Sequence, residues 1–266
     1  MNETIGVIGA GRMGLPIIGH LAKKGFHVFA SDVNAAKRAE VEARGAIWSA
    51  TLEALVEKAT VMLVCVGYDR ELRELFASMK PRSGAIVAVL STVHPRTVQE
   101  LAKEAESRGF ALVDSTVCRG GRAADEGTLL SFVGGPAPAV ERLTPVLRAY
   151  SSDVAHSGGV GSAQVAKAAN NLILWACLVA DHEALALASR YGLEVEKLRR
   201  ALLLSSAAND ALAKWGTQTM AWAEDDMAIV AEMAAECGLA LPQAGLNREI
   251  CRALKPRRYK LDEYGG

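Results

Sequence analysis

The stretch TIGVIGAGRMGLP at residues 4–16 decides the fold that we predict for this chain. Its apolar start, Thr4–Ile8, predicts a buried strand, and Gly9, Gly11 and Gly14 follow in the spacing G-x-G-x-x-G before a predicted helix. In this order the first glycine permits a tight turn, the second lets the backbone approach a pyrophosphate, and the third allows close helix–strand packing. The stretch therefore predicts a dinucleotide-binding α/β fold, with a tight turn that holds no ligand as the alternative.

Asp32 extends this predicted site. It directly follows a second predicted strand, His27–Ser31, and lies 23 residues after Gly9. A carboxylate there accepts hydrogen bonds from ribose hydroxyls and repels a 2′-phosphate, so it favours NAD over NADP. Arg38 lies nearby but is predicted to be a solvated helix residue. With the residues that follow two later strands, at the nicotinamide end, the predicted cofactor-binding set is Gly9, Gly11, Arg12, Met13, Gly14, Asp32, Val66, Gly67, Tyr68 and Thr92.

Short apolar runs alternate with amphipathic helices up to residue 160 or so, which predicts a doubly wound parallel Rossmann sheet over residues 1–160. After Gly161 we predict no strand, so residues 161–266 are expected to form an all-α domain joined through one long helix. The predicted strands are Thr4–Ile8, His27–Ser31, Val61–Val66, Ala85–Leu90, Ala111–Asp114, Leu129–Val133 and Asp153–His156. The predicted helices after Gly161 are Ser162–Arg190, Glu194–Leu204, Asn209–Ala221, Asp225–Cys237 and Pro242–Lys255.

Composition excludes several classes of function. Lys and Arg number 30 and Asp and Glu 30, so a formally neutral chain gives no electrostatic reason to bind nucleic acid or a membrane surface. The five cysteines are widely spaced and form no C-x-x-C, which predicts neither a disulfide framework nor a metal site and fits a reducing cytoplasm. The apolar run Leu172–Ala180 is nine residues long, too short to span a bilayer, so no membrane is expected.

The long predicted helix carries a polar pair in apolar surroundings. Lys167 and Asn171 are four residues apart and therefore share one helix face. Burying a lysine is costly, and desolvation lowers its pKa toward the range that suits a proton donor or acceptor. The alternative is a lysine whose ammonium reaches solvent from the start of the helix.

The segment after the strand Ala111–Asp114 is a second candidate site. Arg119 lies beside Gly120 and Gly121, and backbone N–H groups with a guanidinium fork suit an anion. A surface turn with a solvated arginine is the alternative. Cys118 has no partner histidine that the sequence identifies, so we interpret it as a small packed residue.

Four ordered motifs resemble those of the β-hydroxyacid dehydrogenase family, of the 3-hydroxyisobutyrate dehydrogenase type within the 6-phosphogluconate dehydrogenase superfamily. The resemblance covers nearly the whole chain. The family's G-x-G-x-M-G-x-P, S-T-x-x-P, G-T-L with V-G-G, and glycine-rich segment ending in K-x-x-N-N appear as Gly9–Pro16, Ser91–Pro95, Gly127–Leu129 with Val133–Gly135, and Gly159–Asn171.

The resemblance implies a cofactor-binding domain followed by a helical domain, and hydride transfer between a nicotinamide and C3 of a small hydroxy acid or its aldehyde. It implies Lys167 as the general acid/base and Asn171 as the residue that holds the substrate. It also implies a homodimer or homotetramer assembled through the long helix. The predicted catalytic residues are thus Lys167 and Asn171, and the predicted substrate-binding residues are Ser91, Cys118, Arg119, Gly120 and Asn171.

Two departures from the family pattern change the expected substrate site. The family's D-A-P-V-S-G-G aligns with Asp114–Gly120, where Cys118 replaces serine and Arg119 replaces glycine. Because relatives that reduce sulfolactaldehyde carry arginine at the position of Arg119, we hypothesise that it binds a carboxylate, sulfonate or phosphonate. The family's K-D-L appears with Asp225 in place of lysine, and losing that positive charge is expected to weaken the binding of anions.

Three other functions stay open on the sequence. Imine reductases have a related fold but usually lack a lysine at position 167, and decarboxylating phosphogluconate dehydrogenases are normally much longer chains. A non-catalytic sensor would keep the glycine motif and Asp32 but would not need Lys167 and Asn171 together.

Overall fold

The computed structural model describes residues 3–264, which form two compact units, residues 3–167 and residues 168–264. The first unit is an α/β sheet structure and the second is helical, which confirms the predicted fold class. The chain passes from the first unit to the second after residue 167, seven residues beyond the predicted boundary and within the long helix that starts at Ser162.

One nine-stranded sheet organises the first unit. Its first six strands are parallel in the order β3-β2-β1-β4-β5-β6, as expected for a doubly wound fold. The strands are β1 Thr4–Ile8, β2 His27–Ser31, β3 Ile47–Trp48, β4 Val61–Val64, β5 Ile86–Val89, β6 Ala111–Asp114, β7 Val117–Cys118, β8 Leu129–Gly134 and β9 Ser151–Gly158.

Beyond β6 the sheet is no longer purely parallel, which the prediction did not include. Strand β8 runs antiparallel to β6 and meets it only at Asp114 and Gly134, while the short β7 pairs antiparallel with β8. Strand β9 returns to a parallel pairing with β8. The predicted loop after Asp114 therefore contains a strand, β7, and its cysteine is held in the sheet.

Helices cover both faces of this sheet because successive strand residues point to opposite sides. Val7 joins one apolar core with Ile17, whereas its neighbour Ile8 joins the other with Leu55. The helices of the first unit are α1 Gly14–Lys23, α2 Arg38–Ala43, α3 Leu52–Lys58, α4 Asp69–Ser78, α5 Pro95–Ser107, α6 Gly120–Glu126 and α7 Ala137–Leu147. The sequence predicts helices at Met13–Lys24, Ala35–Ala43, Arg70–Met79, Pro95–Arg108 and Ala139–Ala149, so α3 and α6 are absent from the prediction.

The long helix α8, Ser162–Arg190, begins in the first unit and continues into the second. Its bounds match the prediction. The remaining helices are α9 Val195–Leu202, α10 Asp210–Ala213, α11 Ala223–Glu236 and α12 Pro242–Leu254. The predicted helix Asn209–Ala221 is wrong beyond its first turn: Asn209 caps α10, and Gly216 then adopts a φ of +87°, which a right-handed helix does not allow.

By length and composition α8 is apolar enough to cross a membrane, although the core helix of a soluble protein passes the same test. Within the second unit, Trp175, Leu178 and Val179 of this helix belong to one buried apolar cluster with Met227 and Val230 of α11. The same helix buries Asp181 and His182. This pattern is that of a helix which contributes to a protein core.

Candidate active site

The conformation of the cofactor loop, residues 9–14, depends on glycines, which have no side chain. Gly9 has a φ of +99° and its N–H donates to the Ser31 carbonyl at 2.8 Å. A Cβ on Gly9 would collide with the carbonyl oxygen of Cys65, and one on Gly14 would collide with the carbonyl oxygen of Gly9. At Gly11, by contrast, an added Cβ meets nothing within 4 Å.

The cofactor loop therefore fits the pyrophosphate of a dinucleotide. The space beside Gly11 is open to a ligand, and helix α1 starts directly after it with no side chain capping its first N–H groups. Free N–H donors and the positive end of a helix dipole are what a pyrophosphate requires. Arg12 and Met13, which the sequence predicts to bind the cofactor, lie in this turn.

Asp32 joins the cofactor loop to the end of β2. One carboxylate oxygen accepts the Ala10 N–H at 2.6 Å and the other accepts the Asn34 N–H at 2.8 Å. Arg38, the basic residue that follows, is paired with Glu42 at 2.9 Å on the surface of α2. Asp32 thus lies where the sequence places it, and it also holds the loop that it is predicted to serve.

The ends of β4 and β5 lie side by side in the sheet and carry the other predicted residues. The Ser91 hydroxyl donates to the Val66 carbonyl at 2.8 Å, which links the two strand ends. The Gly67 N–H donates to the Glu71 carboxylate at 2.8 Å. Tyr68 is 55% exposed and Thr92 is half-buried, so both have surface available to a ligand.

The structure brings Lys167 to the second candidate site. Its ammonium donates to the Val117 carbonyl at 2.8 Å and lies 3.8 Å from the Cys118 sulfur. The thiol of Cys118 is buried, while Lys167 is partly exposed. Two segments that are about 50 residues apart in sequence, β7 and α8, therefore meet where a proton donor was predicted.

Asp114 holds the start of α8. Its carboxylate is buried and accepts the N–H groups of Gly161 at 2.8 Å and Gln164 at 3.0 Å. Burial raises the pKa of this carboxyl above its ordinary value, and the hydrogen bonds from backbone N–H groups oppose that rise. The end of β6 thus caps the helix that carries Lys167.

Three more hydrogen bonds hold the first turn of α8. The Thr116 hydroxyl donates to the Ala163 carbonyl at 2.9 Å. The Gln164 side chain accepts the Val93 N–H at 3.0 Å and donates to the Ser91 carbonyl at 2.8 Å. Sequence reasoning missed these residues as well as Asp114, although Gln164 is a single buried amide within an otherwise apolar helix start, which is a usable signal.

Asn171 lies one turn after Lys167 on the same helix. Its side chain is 2% exposed, and its oxygen accepts a hydrogen bond from the Asn170 amide at 3.1 Å. The helical repeat of α8 keeps Lys167 and Asn171 on one face.

Arg119 occupies a conformation that suits glycine better, with a φ of +83°. One terminal nitrogen, Nη1, donates to the Thr128 carbonyl at 3.1 Å, the Ser152 hydroxyl at 2.8 Å and the Asp153 carboxylate at 2.7 Å. Within residues 3–264, Nε and Nη2 have no hydrogen-bond partner. The next residue, Gly120, has a φ of +75° and opens α6.

Arg12 connects the cofactor loop to α6. Its guanidinium donates to both oxygens of Asp125, at 2.8 and 2.7 Å, and it packs directly over Gly121, where an added Cβ would displace it. The hydrogen bonds from Arg12 lower the pKa of the Asp125 carboxyl. The side chain of Arg12 is therefore committed to α6, which leaves its backbone for the predicted cofactor role.

Asp225 and Asp226 lie in the first turn of α11, where carboxylates interact favourably with the helix dipole. Asp226 also accepts a hydrogen bond from the Trp175 indole at 2.9 Å. The aspartate that replaces the family lysine thus has a local structural reason to be acidic.

Comparisons with known proteins cover both units. Residues 4–159 match the family described as the NAD binding domain of 6-phosphogluconate dehydrogenase. Residues 161–263 match the family described as the NAD-binding domain of NADP-dependent 3-hydroxyisobutyrate dehydrogenase. The NAD-dependent L-serine dehydrogenase of Pseudomonas aeruginosa is 31% identical over 217 residues, covering 79% of this chain and 72% of its own.

Solved structures share the fold. The 3-hydroxyisobutyrate dehydrogenase of Mycobacterium tuberculosis, solved with L-serine, is 23% identical with a TM-score of 0.88, covering 97% of this chain and 95% of its own. An imine reductase variant from Myxococcus stipitatus, solved with NAD⁺, is 19% identical with a TM-score of 0.71 over 97% and 95% of the two chains. With both halves matched and the glycine loop built as its motif requires, this chain belongs to the β-hydroxyacid dehydrogenase family of NAD(P)-binding oxidoreductases.

Proposed function

We propose that this protein is an NAD-dependent dehydrogenase of small anionic 3-hydroxy acids, or a reductase of the corresponding aldehydes. The observation that carries the proposal is the Lys167 ammonium, held 2.8 Å from the Val117 carbonyl beside the strand ends. When bound, the nicotinamide accepts or donates the hydride.

In the proposed reaction Lys167 transfers the proton to or from the substrate oxygen. During oxidation its neutral amine takes the proton of the substrate hydroxyl, and during aldehyde reduction its ammonium gives a proton to the forming alkoxide. The contact with Val117 orients the nitrogen and uses only one of its donors. Asn171, one turn along α8, is proposed to hold the substrate by its side-chain amide.

Arg119 is proposed to bind the acid group of the substrate. Its Nη1 is anchored on Thr128, Ser152 and Asp153, which leaves the Nε–Nη2 edge of the guanidinium for a carboxylate, sulfonate or phosphonate. Asp153 would then orient the arginine. The related L-serine dehydrogenase takes its name from a small 3-hydroxy acid, which fits this substrate class.

NAD is the proposed cofactor, with NADP less favoured. The Asp32 carboxylate lies just after β2, beside the cofactor loop, and Arg38 is already paired with Glu42. A negative charge at this place disfavours a 2′-phosphate.

A homodimer or homotetramer in the cytoplasm is also proposed. Along α8 a stripe of apolar side chains is exposed, at the helical spacing of one face; it includes Val165, Ile173 and Leu187, which are 49%, 64% and 62% exposed. A change of Ile173→Glu is expected to lower the mass measured by light scattering, whereas the exposed Leu204→Glu leaves it unchanged. An unchanged mass for Ile173→Glu contradicts assembly through α8.

Turnover is the direct test of the proposed function. NAD⁺ is offered with a panel of small hydroxy acids, hydroxy sulfonates and hydroxy phosphonates, and the absorbance of reduced nicotinamide is followed. The change Lys167→Ala is expected to lower kcat by about 100-fold or more, since a positioned general base contributes that much. Lys103→Ala, on the exposed face of α5, is the control. Equal rates for Lys167→Ala and the wild type would overturn the proposal.

The same panel separates the alternatives. Reduction of imines without turnover of any alcohol would identify an imine reductase, and Lys167 argues against that outcome. Tight binding of NAD with no turnover of the panel would favour a dinucleotide sensor.

A further inference from the structure

Gln164 is tied to a distant segment by both ends of its side chain. It lies in the first turn of α8, three residues before Lys167, and is 1% exposed. Its Oε1 accepts the Val93 N–H at 3.0 Å, and its Nε2 donates to the Ser91 carbonyl at 2.8 Å. These two partners lie 71 and 73 residues away, in the segment between β5 and α5.

The two partners require an amide at this position. A backbone N–H can only donate and a backbone carbonyl can only accept, so the side chain between them must offer one acceptor and one donor at a fixed spacing. Leaving either group buried without a partner destabilises the folded chain. A carboxylate satisfies the Val93 N–H but places a lone pair against the Ser91 carbonyl.

The segment that Gln164 holds belongs to the proposed nicotinamide end of the site. The Ser91 hydroxyl donates to the Val66 carbonyl, so the ends of β4 and β5 and the start of α8 form one hydrogen-bonded chain. The backbone of this turn is held separately, by Asp114 at the Gln164 N–H and by Thr116 at the Ala163 carbonyl. Gln164 is the side chain of the turn that reaches back to the sheet.

From this geometry we infer that Gln164 is a positioning residue, which sets the Lys167 amine relative to the Ser91–Val93 segment. The inference rests on the proposed function, in which Lys167 handles the proton while the hydride moves at the neighbouring strand ends. Displacement of about 1 Å between reacting groups lowers a rate by about 100-fold. A change at Gln164 is therefore expected to lower kcat far more than it raises KM.

The change Gln164→Glu tests this inference. The variant carboxyl is buried, and burial together with the nearby Asp114 carboxylate raises its pKa. When ionised it repels the Ser91 carbonyl, and when protonated its O–H donates to that carbonyl and restores both contacts. We expect kcat, compared with the wild type at the same pH, to be about 100-fold lower at high pH. This ratio is expected to recover toward one as the pH is lowered, with KM for NAD⁺ nearly unchanged.

Gln99→Glu is the matched control. Gln99 is an exposed glutamine on α5 whose amide also donates to a backbone carbonyl, that of Val160, at 3.3 Å. The Gln99→Glu variant keeps Asp114 and adds its new carboxyl at an exposed position, so its pH profile is expected to follow the wild type. A Gln164→Glu variant with wild-type kcat at every pH overturns the inference. So does a loss of activity that parallels a loss of folded protein and does not recover in acid.

A measurement that needs no turnover separates this inference from the proposed function. In Gln164→Met the Val93 N–H loses its acceptor, so its hydrogen exchange, followed by NMR, is expected to be faster than in the wild type. If the wild type turns over no alcohol of the panel but this exchange still changes, the proposed function fails and the link between α8 and the segment stands. Unchanged exchange at Val93 contradicts the link itself.

Discussion

The cofactor loop, residues 9–14, follows β1, and the proposed substrate loop, residues 117–121, begins with β7 of the same sheet, yet different parts of the chain shape them. The cofactor loop depends on absent side chains, because a Cβ at Gly9 or Gly14 would collide with backbone. The substrate loop depends on side chains with partners: Arg119 is anchored on β9, and Lys167 of α8 binds the Val117 carbonyl. A position that must be glycine can be recognised from a sequence motif, whereas a contact between residues far apart in the sequence cannot.

The largest effect is expected in the cofactor loop. Gly14→Ala places a Cβ against the Gly9 carbonyl oxygen, which is backbone and cannot move aside, so we expect a loss of about 3 kcal/mol of unfolding free energy, measured in urea.

Gly11→Ala is the matched control for that variant. The added Cβ meets no atom within 4 Å, so stability is expected to change by less than about 0.5 kcal/mol. The binding of NAD, followed by fluorescence, should nevertheless weaken because the Cβ occupies the space proposed for the pyrophosphate. A Gly14→Ala protein as stable as Gly11→Ala would show that the loop does not depend on absent side chains.

In the substrate loop the next largest effect is expected at Arg119. Arg119→Ala removes the charge proposed to bind the substrate anion, so KM for the hydroxy acid should rise by about 10-fold or more with a smaller change in kcat.

Asp153→Asn sharpens that prediction, because it keeps Arg119 but loosens its anchor, and it should raise KM less. Arg122→Ala, whose partner Glu126 lies on the same exposed helix face, serves as the control. If Arg119→Ala leaves KM and kcat unchanged, the substrate anion is held elsewhere.

A smaller effect is expected where the cofactor loop is joined to α6, the helix that continues from the proposed substrate loop. Arg12 and Asp125 form a bidentate pair, but their side chains are 47% and 54% exposed, so solvent screens the pair. A double-mutant cycle with Arg12→Ala and Asp125→Ala should give a coupling energy of about 1 kcal/mol or less in urea unfolding. A much larger coupling would mean that the loops fold as one unit.

The smallest effect is expected at Cys118, beside Lys167. Cys118→Ser restores the residue typical of the family and exchanges a weak acceptor for a stronger one without adding volume. We expect kcat to stay within about 3-fold of the wild type, which corresponds to less than about 0.7 kcal/mol in activation free energy. A large loss in steady-state turnover would instead assign the thiol a part in the reaction.

The periodic parts of the fold could be predicted because apolar alternation and helical spacing reflect burial directly. Strands β1 and β2 and the full length of α8 follow from such patterns. The one-turn helix α10 could not be separated from a longer helix, because the residue that ends it, Gly216, does so through its backbone angle. Short α6 was missed because the segment reads as a turn rich in glycine and charge.

The residues of the candidate site also fall into those that a local sequence pattern predicts and those that it does not. Gly9, Gly14 and Asp32 were predicted because each acts at a fixed offset from a strand end. Gln164 and Asp153 were missed, since each finds its partner at least 34 residues away and a contact at that distance has no local pattern. Lys167 was found from its apolar surroundings, but its backbone partner Val117 could be identified only in the folded chain.

The two hydrogen bonds of Asp32 have a consequence for attempts to engineer this enzyme toward a phosphorylated cofactor. Replacing this aspartate with a small neutral residue is the obvious change, yet it would leave the N–H groups of Ala10 and Asn34 without their acceptor. The loop that is proposed to bind the pyrophosphate would then loosen, and the proposed preference for NAD would be lost with it. A successful redesign has to supply a positive charge and also two new acceptors for these N–H groups. A change at position 32 therefore alters the rigidity of the loop along with the choice of cofactor.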